Sequence, residues 1–69
     1  MIRINLLKDA MERKNITMDD LAKELKLCKQ SLYYRLKGKI EFKISEVDKV
    51  KRYLELDIKT FAAIFLDDN

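Results

Sequence analysis

The stretch from Thr17 to Gly38, TMDDLAKELKLCKQSLYYRLKG, decides how this chain folds. Leu21, Ala22 and Leu25 recur at the spacing of one helix face, and Leu32 and Leu36, one turn apart, do so again. Only Lys26, Leu27 and Cys28 lie between the two patterns, which leaves room for a tight corner and nothing longer. An inward Leu27 pins that corner, and the small side chain of Ala22 lets a second helix cross closely. The spacing therefore predicts two short helices packed at an angle, with the outer face of the second left free.

The punctuation agrees. Thr17 opens the first of these helices, and Asp20, three residues on, makes a capping box with Asp in place of the usual Glu. Asp19 and Asp20 also suit the positive end of the helix dipole. The second helix runs from Lys29 to Lys37, and Gly38 is free to take the left-handed conformation that ends it. Upstream, a helix is expected from Asn5, as N-cap, to about Lys14, burying Leu7, Ala10 and Met11, with Asn15 and Ile16 as the connection. Downstream, Lys39 to Ile44 reads as a loop anchored by Phe42 and Ile44. Ser45, with Asp48 three residues on, is expected to cap a fourth helix with Val47, Val50 and Leu54 along its apolar stripe and Tyr53 beside it. Leu56 turns the next corner, and Asp57 caps a last helix from Ile58 to about Leu66. That helix is apolar nearly all round, with Ile58, Phe61, Ala62 and Phe65 on one side and Ala63, Ile64 and Leu66 elsewhere. Such a helix is deeply buried or lies at an interface. The expectation is one all-α domain of five helices over residues 1–69.

Composition supports helix and argues against catalysis. The chain has no proline and one glycine, too few turn residues for an all-β fold. It has no histidine, the commonest general base and metal ligand, and Cys28 is its only cysteine. There is no Gly-rich phosphate loop, and the Asp19-Asp20 and Asp67-Asp68 pairs read as helix-end or tail residues. No enzyme activity, cofactor or metal is expected. The lone cysteine fits a reducing compartment, and the longest apolar run, Phe61 to Leu66, is too short to span a bilayer. A soluble, cytoplasmic protein is expected. Cys28 reads as a small half-buried residue, and Met1, Met11 and Met18 as packing or initiation residues.

Charge is distributed unevenly. From Lys26 to Lys43 there are six basic residues against the single acidic Glu41, a net +5, so the rest of the chain carries −2 of the total +3. A local basic stripe on a near-neutral body suits a polyanion on one face, although an ordinary solvated lysine surface would look the same.

Thr17-Met-Asp-Asp-Leu-Ala-Lys-Glu-Leu-Lys-Leu-Cys-Lys-Gln-Ser-Leu resembles the helix-turn-helix of Cro/repressor regulators, the XRE-like or lambda-repressor-like family. Tyr33-Tyr-Arg-Leu-Lys-Gly-Lys39 and Phe42 look like its phage-associated branch. The resemblance covers nearly the whole chain and implies a compact five-helix domain that lays its third helix in the major groove of duplex DNA. By the same resemblance Lys29, Gln30, Tyr33 and Tyr34 face the bases. Lys29 is able to donate to guanine O6 or N7, Gln30 to pair with adenine N6 and N7, and Tyr34 to pack on a thymine methyl or reach a phosphate. Ser31, Arg35, Lys37, Lys39 and Lys43 fall to phosphates, as does the start of the second helix at Thr17. Tyr33 and Tyr34 cannot both be core if Leu32 and Leu36 are; Tyr33 alternatively packs against a neighbouring helix. Two positions depart from the family. Lys26 stands where Gly is usual and must turn left-handed with a side chain attached, at a cost of roughly 1 kcal/mol. Cys28 stands where Ser or Thr is common, so the third helix is expected to fray at its start. Arg35 is expected outward or at the edge.

What the resemblance implies is a transcriptional regulator, a Cro-like repressor that occupies an operator. One recognition helix reads only a few base pairs, so a homodimer is expected, with Phe61, Ile64, Phe65 and Leu66 as candidates for its interface unless all four close the monomer core; no membrane or small-molecule ligand is expected. The other reading is a small helical protein-binding module, such as an anti-repressor docking on another regulator.

Overall fold

A computed structural model of the chain describes residues 2–66. Its architecture follows from a terminator used repeatedly. Helix α1 (Ile4–Arg13) ends at Asn15, α2 (Met18–Leu25) at Lys26 and α4 (Ile44–Tyr53) at Glu55. All three terminators are non-glycine residues with positive φ, at 57°, 58° and 52°. In each case the following apolar residue turns back. Ile16 N–H donates to Met11 O, Leu27 to Ala22 O and Leu56 to Lys51 O, at 2.9–3.0 Å. This is the bond that satisfies otherwise orphaned carbonyls at a helix end. The same three apolar side chains pack against the core and so fix the direction of the exit.

The next residue then caps the next helix. Thr17 Oγ1 accepts from Asp20 N–H at 3.1 Å while Asp20 Oδ2 accepts from Thr17 N–H at 3.0 Å, completing the capping box with Asp. Cys28 Sγ accepts from Ser31 N–H at 3.4 Å ahead of α3 (Lys29–Leu36), and Asp57 Oδ1 accepts from Thr60 N–H at 2.7 Å ahead of α5 (Ile58–Phe61). Left-handed residue, apolar residue, cap: three corners of three residues each generate most of the chain path.

The corner after α3 begins in the same way and then diverges. Gly38 has φ +82°, and Lys39 N–H returns to Tyr34 O at 2.9 Å. At the position held elsewhere by an inward Ile or Leu the chain has exposed Lys39, and no cap follows. A longer loop results, anchored by Phe42, whose ring meets Phe65 edge-on with centroids 6.0 Å apart.

Leu7 and Met11 from α1, Leu21, Ala22 and Leu25 from α2, Leu32 and Leu36 from α3, and Val50 and Leu54 from α4 form one buried cluster. Helix α2 packs against both α3 and α4. Helix α5 runs on into a π-helical turn, Ala62–Leu66, which packs against α1. There Ile64 O accepts from Arg3 N–H at 2.9 Å. Among the described residues the protein is all helix and loop, with five helices around this core, and no helix is long and apolar enough to cross a membrane.

Four sequence expectations need correction. Asn5 lies inside α1, whose N-cap is Arg3, and contributes no side-chain cap. Ser45 does not cap α4 either. The helix starts two residues earlier, with Lys43 at the cap position, because Glu46 Oε1 accepts from Lys43 N–H at 2.9 Å. Ile44 consequently becomes the first helical residue and is 89% exposed instead of anchoring the loop. Cys28 is exposed, since its sulfur is held at the helix start by the capping bond. Met1 and Asp67-Asp68 lie outside the described residues.

Candidate nucleic-acid interface

Helix α3 divides cleanly by helical phase. Leu32 and Leu36 are buried, at 1% and 4% exposure. On the opposite arc, Lys29, Gln30, Tyr33 and Lys37 are all exposed and Tyr34 is half-buried. The two tyrosine rings lie side by side with centroids 6.3 Å apart. Each carries an ammonium group: Lys37 Nζ lies 5.3 Å from the Tyr33 centroid and Lys39 Nζ 5.3 Å from that of Tyr34. At exposed sites such a contact is worth about 0.5–1 kcal/mol. Gln30 Nε2 donates to the Tyr34 hydroxyl at 2.9 Å. The result is a continuous surface of amide, phenol and ammonium groups, rich in donors and free of carboxylates along α3 itself.

Two groups tie this surface to the rest of the domain. Lys29 Nζ pairs with Asp19 Oδ1 at 3.2 Å, across the gap between the start of α3 and the start of α2, the end that also carries Thr17. Both partners are well exposed, so the pair is worth little and exchanges readily for another anion. The Cys28 sulfur lies 3.3 Å from Ser31 Oγ. The Ser31 hydroxyl and backbone N–H both stabilise the thiolate and hold the Cys28 thiol below its usual pKa. The bonds to Ser31 cap the helix start.

Arg35 is not on this surface. Its side chain is 12% exposed and that of Glu46 10%. Arg35 Nε donates to Glu46 Oε1 at 3.0 Å, and Nη1 to Ser31 O at 3.3 Å. Because Glu46 also receives Lys43 N–H, one carboxylate joins the end of α3 to the start of α4. Burial alone would raise the pKa of Glu46, but the Lys43 N–H, the Arg35 hydrogen bond and the Arg35 charge outweigh it and hold the carboxyl below its usual value. Arg35 is therefore a strut, not a phosphate contact. Its position one residue before buried Leu36 sets it on the flank toward α4, where the sequence alone suggested the outer edge. Ser31 shares that flank and is half-buried.

Thr17, Lys37, Lys39 and Lys43 are exposed. Lys37 and Lys39 join Tyr33 and Tyr34, whereas Lys43 sits at the entrance to α4, across the Arg35–Glu46 pair. Among the expected self-association residues, Ile64 is fully buried within the monomer and is not available to a partner. Phe61 and Phe65 are half-buried, with centroids 5.1 Å apart, and Leu66 is 66% exposed. Sequence reading missed the Asp19–Lys29 pair and the Arg35–Glu46 strut. The spacing of Lys43 and Glu46, a carboxylate three residues past a helix start, was the available signal for the strut.

Comparison with protein-family models, curated proteins and solved structures gives no match to this chain.

Proposed function

We propose that this protein is a duplex-DNA-binding regulator of the helix-turn-helix class that inserts α3 into the major groove. The observation that carries the reading is the outer arc of α3. Lys29, Gln30, Tyr33, Tyr34 and Lys37 share it, and Lys39 extends it. A B-DNA major groove is about 12 Å wide and admits one helix. On such a helix Gln30 pairs with adenine, Lys29 leaves Asp19 for guanine or phosphate, and the tyrosine rings meet thymine methyl groups. Lys37 and Lys39 neutralise flanking phosphates, which fixes register without reading sequence. Thr17 offers the N-terminus of α2 to a phosphate on the same strand.

The regulator acts as a Cro-like repressor and as a homodimer. One short helix reads too few base pairs for a unique site, and two-fold pairing doubles the readout. Phe61, Phe65 and Leu66 are the residues we assign to that pairing; together with the exposed Ile58 at its start, they are large apolar side chains of the last helical segment that the core leaves accessible. Selection of bound duplexes from a random pool tests the proposal. Enrichment of an inverted repeat with half-sites about 10 bp apart, or a multiple of it, is the expected result. Failure to enrich any sequence, with the folded protein present, would remove the repressor reading and favour docking on another protein.

A further inference from the structure

A second feature borders the outer arc of α3 without being part of it. Helix α1, the start of α2 and one edge of α3 enclose a groove of about 320 Å³. That is at the small end of the range for small-molecule sites, roughly 300–1,000 Å³. Half-buried Ile4 and Met18 line it with apolar surface over the buried Leu32 and Leu36, and exposed Tyr33 forms one wall. Its charged groups are all of one kind: Lys8, Lys29 and Lys37 line it, and no carboxylate does. Lys8 makes no ion pair among the described residues, Lys37 rests only on the Tyr33 ring, and Lys29 holds an exposed and exchangeable partner in Asp19. An apolar cleft with three ammonium groups and no acid of its own is complementary to one kind of molecule, a compact apolar body with a negative head.

We infer that this groove is a binding site for a small anionic amphiphile, such as an aromatic or medium-chain carboxylate. The apolar body lies against Ile4, Met18 and the Tyr33 ring, and the carboxylate is held by Lys8 together with Lys29 or Lys37. This replaces the expectation that no small molecule is bound. Occupancy has a consequence for DNA. Lys29, Tyr33 and Lys37 belong both to the groove and to the outer arc of α3, so a seated carboxylate takes charges that DNA phosphates need and reorients the Tyr33 ring. The ligand and the duplex are then mutually exclusive. This consequence rests on the proposed DNA reading, whereas the binding of the amphiphile does not.

The test is a titration of the full chain, without DNA, with naphthoate and with decanoate, followed by methyl and amide NMR. The expected result is saturable shifts at Ile4, Met18, Leu32 and Tyr33. The neutral analogue naphthylmethanol should bind more weakly, by about tenfold where two charged contacts are lost. Lys8→Glu, a change on an exposed rim outside the DNA face, should weaken naphthoate by roughly threefold or more and leave the helical circular dichroism unchanged. Equal binding of the neutral analogue would overturn the inference. So would shifts confined to Phe42, Phe61 and Phe65, or no saturable shift with either acid. Adding naphthoate to a preformed complex with DNA then tests the exclusion alone: release of the duplex supports it, and a ternary complex refutes it. If the chain binds naphthoate but no DNA at low salt, the site stands and the DNA reading falls.

Discussion

Replacing Lys26 by Gly should stabilise this protein, and the size of the gain follows from the backbone. Lys26 has φ 58° and ψ 40°, inside the left-handed region. An L-residue there costs about 1–2 kcal/mol because Cβ crowds the following carbonyl. Glycine removes that crowding but has more freedom to lose on folding, which returns about 0.4–1 kcal/mol. The net gain is about 0.5–1 kcal/mol, or a rise in Tm of about 3–6 °C for a domain this small. Lys26→Ala separates backbone from charge. Alanine keeps Cβ, so it keeps the strain while losing the same ammonium group as glycine does. Thermal and urea unfolding of the three proteins, followed by circular dichroism at one concentration, should place Lys26→Gly above the parent and Lys26→Ala close to it. Glu55→Gly should behave like Lys26→Gly, and Asn15→Gly should gain less, because Asn tolerates the left-handed region better. Equal effects of Gly and Ala at position 26 would refute the reasoning, since the corner between α2 and α3 would then not be left-handed.

Other expectations concern the strut, the reading face and the partner copy. Glu46→Ala leaves the Arg35 guanidinium nearly buried and unpaired, and should cost about 2–4 kcal/mol in urea unfolding, a large part of the stability of so small a domain. The carboxyl of Glu46 is held below its usual pKa in the folded protein, so its contribution is complete above the unfolded value and fades as pH falls through the folded one. The gap between parent and Glu46→Ala should accordingly be constant from pH 7 to about pH 5 and narrow below about pH 4. Gln30→Ala should relax preference at one base position, whereas Lys39→Ala should weaken all duplexes alike and reduce the salt slope by about one; an equal loss on every sequence from both changes would reverse those roles. Sedimentation should show dimers at high micromolar concentration or on DNA that Phe65→Asp abolishes, and a parent that stays monomeric in both settings would rule out the pairing surface.

The sequence carried the helices well because apolar period and capping chemistry act locally. Thr17, Asp57 and the inward Leu21, Leu25, Leu32 and Leu36 all fall where their spacing puts them. The corners at Lys26 and Leu56 were legible for the same reason, since an apolar residue between two polar ones at a helix end has one place to go. The errors arose where a non-local partner decides. Ser45 is a better N-cap by type than Lys43, yet Glu46 is held by Arg35 from α3, and that contact moves the start of α4 by two residues and pushes Ile44 outward. Arg35 looked like a surface base because its carboxylate lies eleven positions away, beyond any helical spacing. Ile64 looked no different from Phe61 or Leu66 in a helix apolar all round. The π-helical turn and the bond from Arg3 to its carbonyl choose which of them faces the core. The groove beside α3 was not legible at all, because it is made by residues from three separate helices.

The central claim is that the basic outer arc of α3 engages the phosphates and bases of duplex DNA. Binding of the full chain to a mixed-sequence duplex, measured by fluorescence anisotropy at 50 and 200 mM salt, tests it most directly. With about four to eight phosphate contacts per dimer, affinity should fall by about 10²- to 10⁴-fold between the two conditions. Absence of binding at 50 mM salt, or an affinity indifferent to salt, would contradict the account.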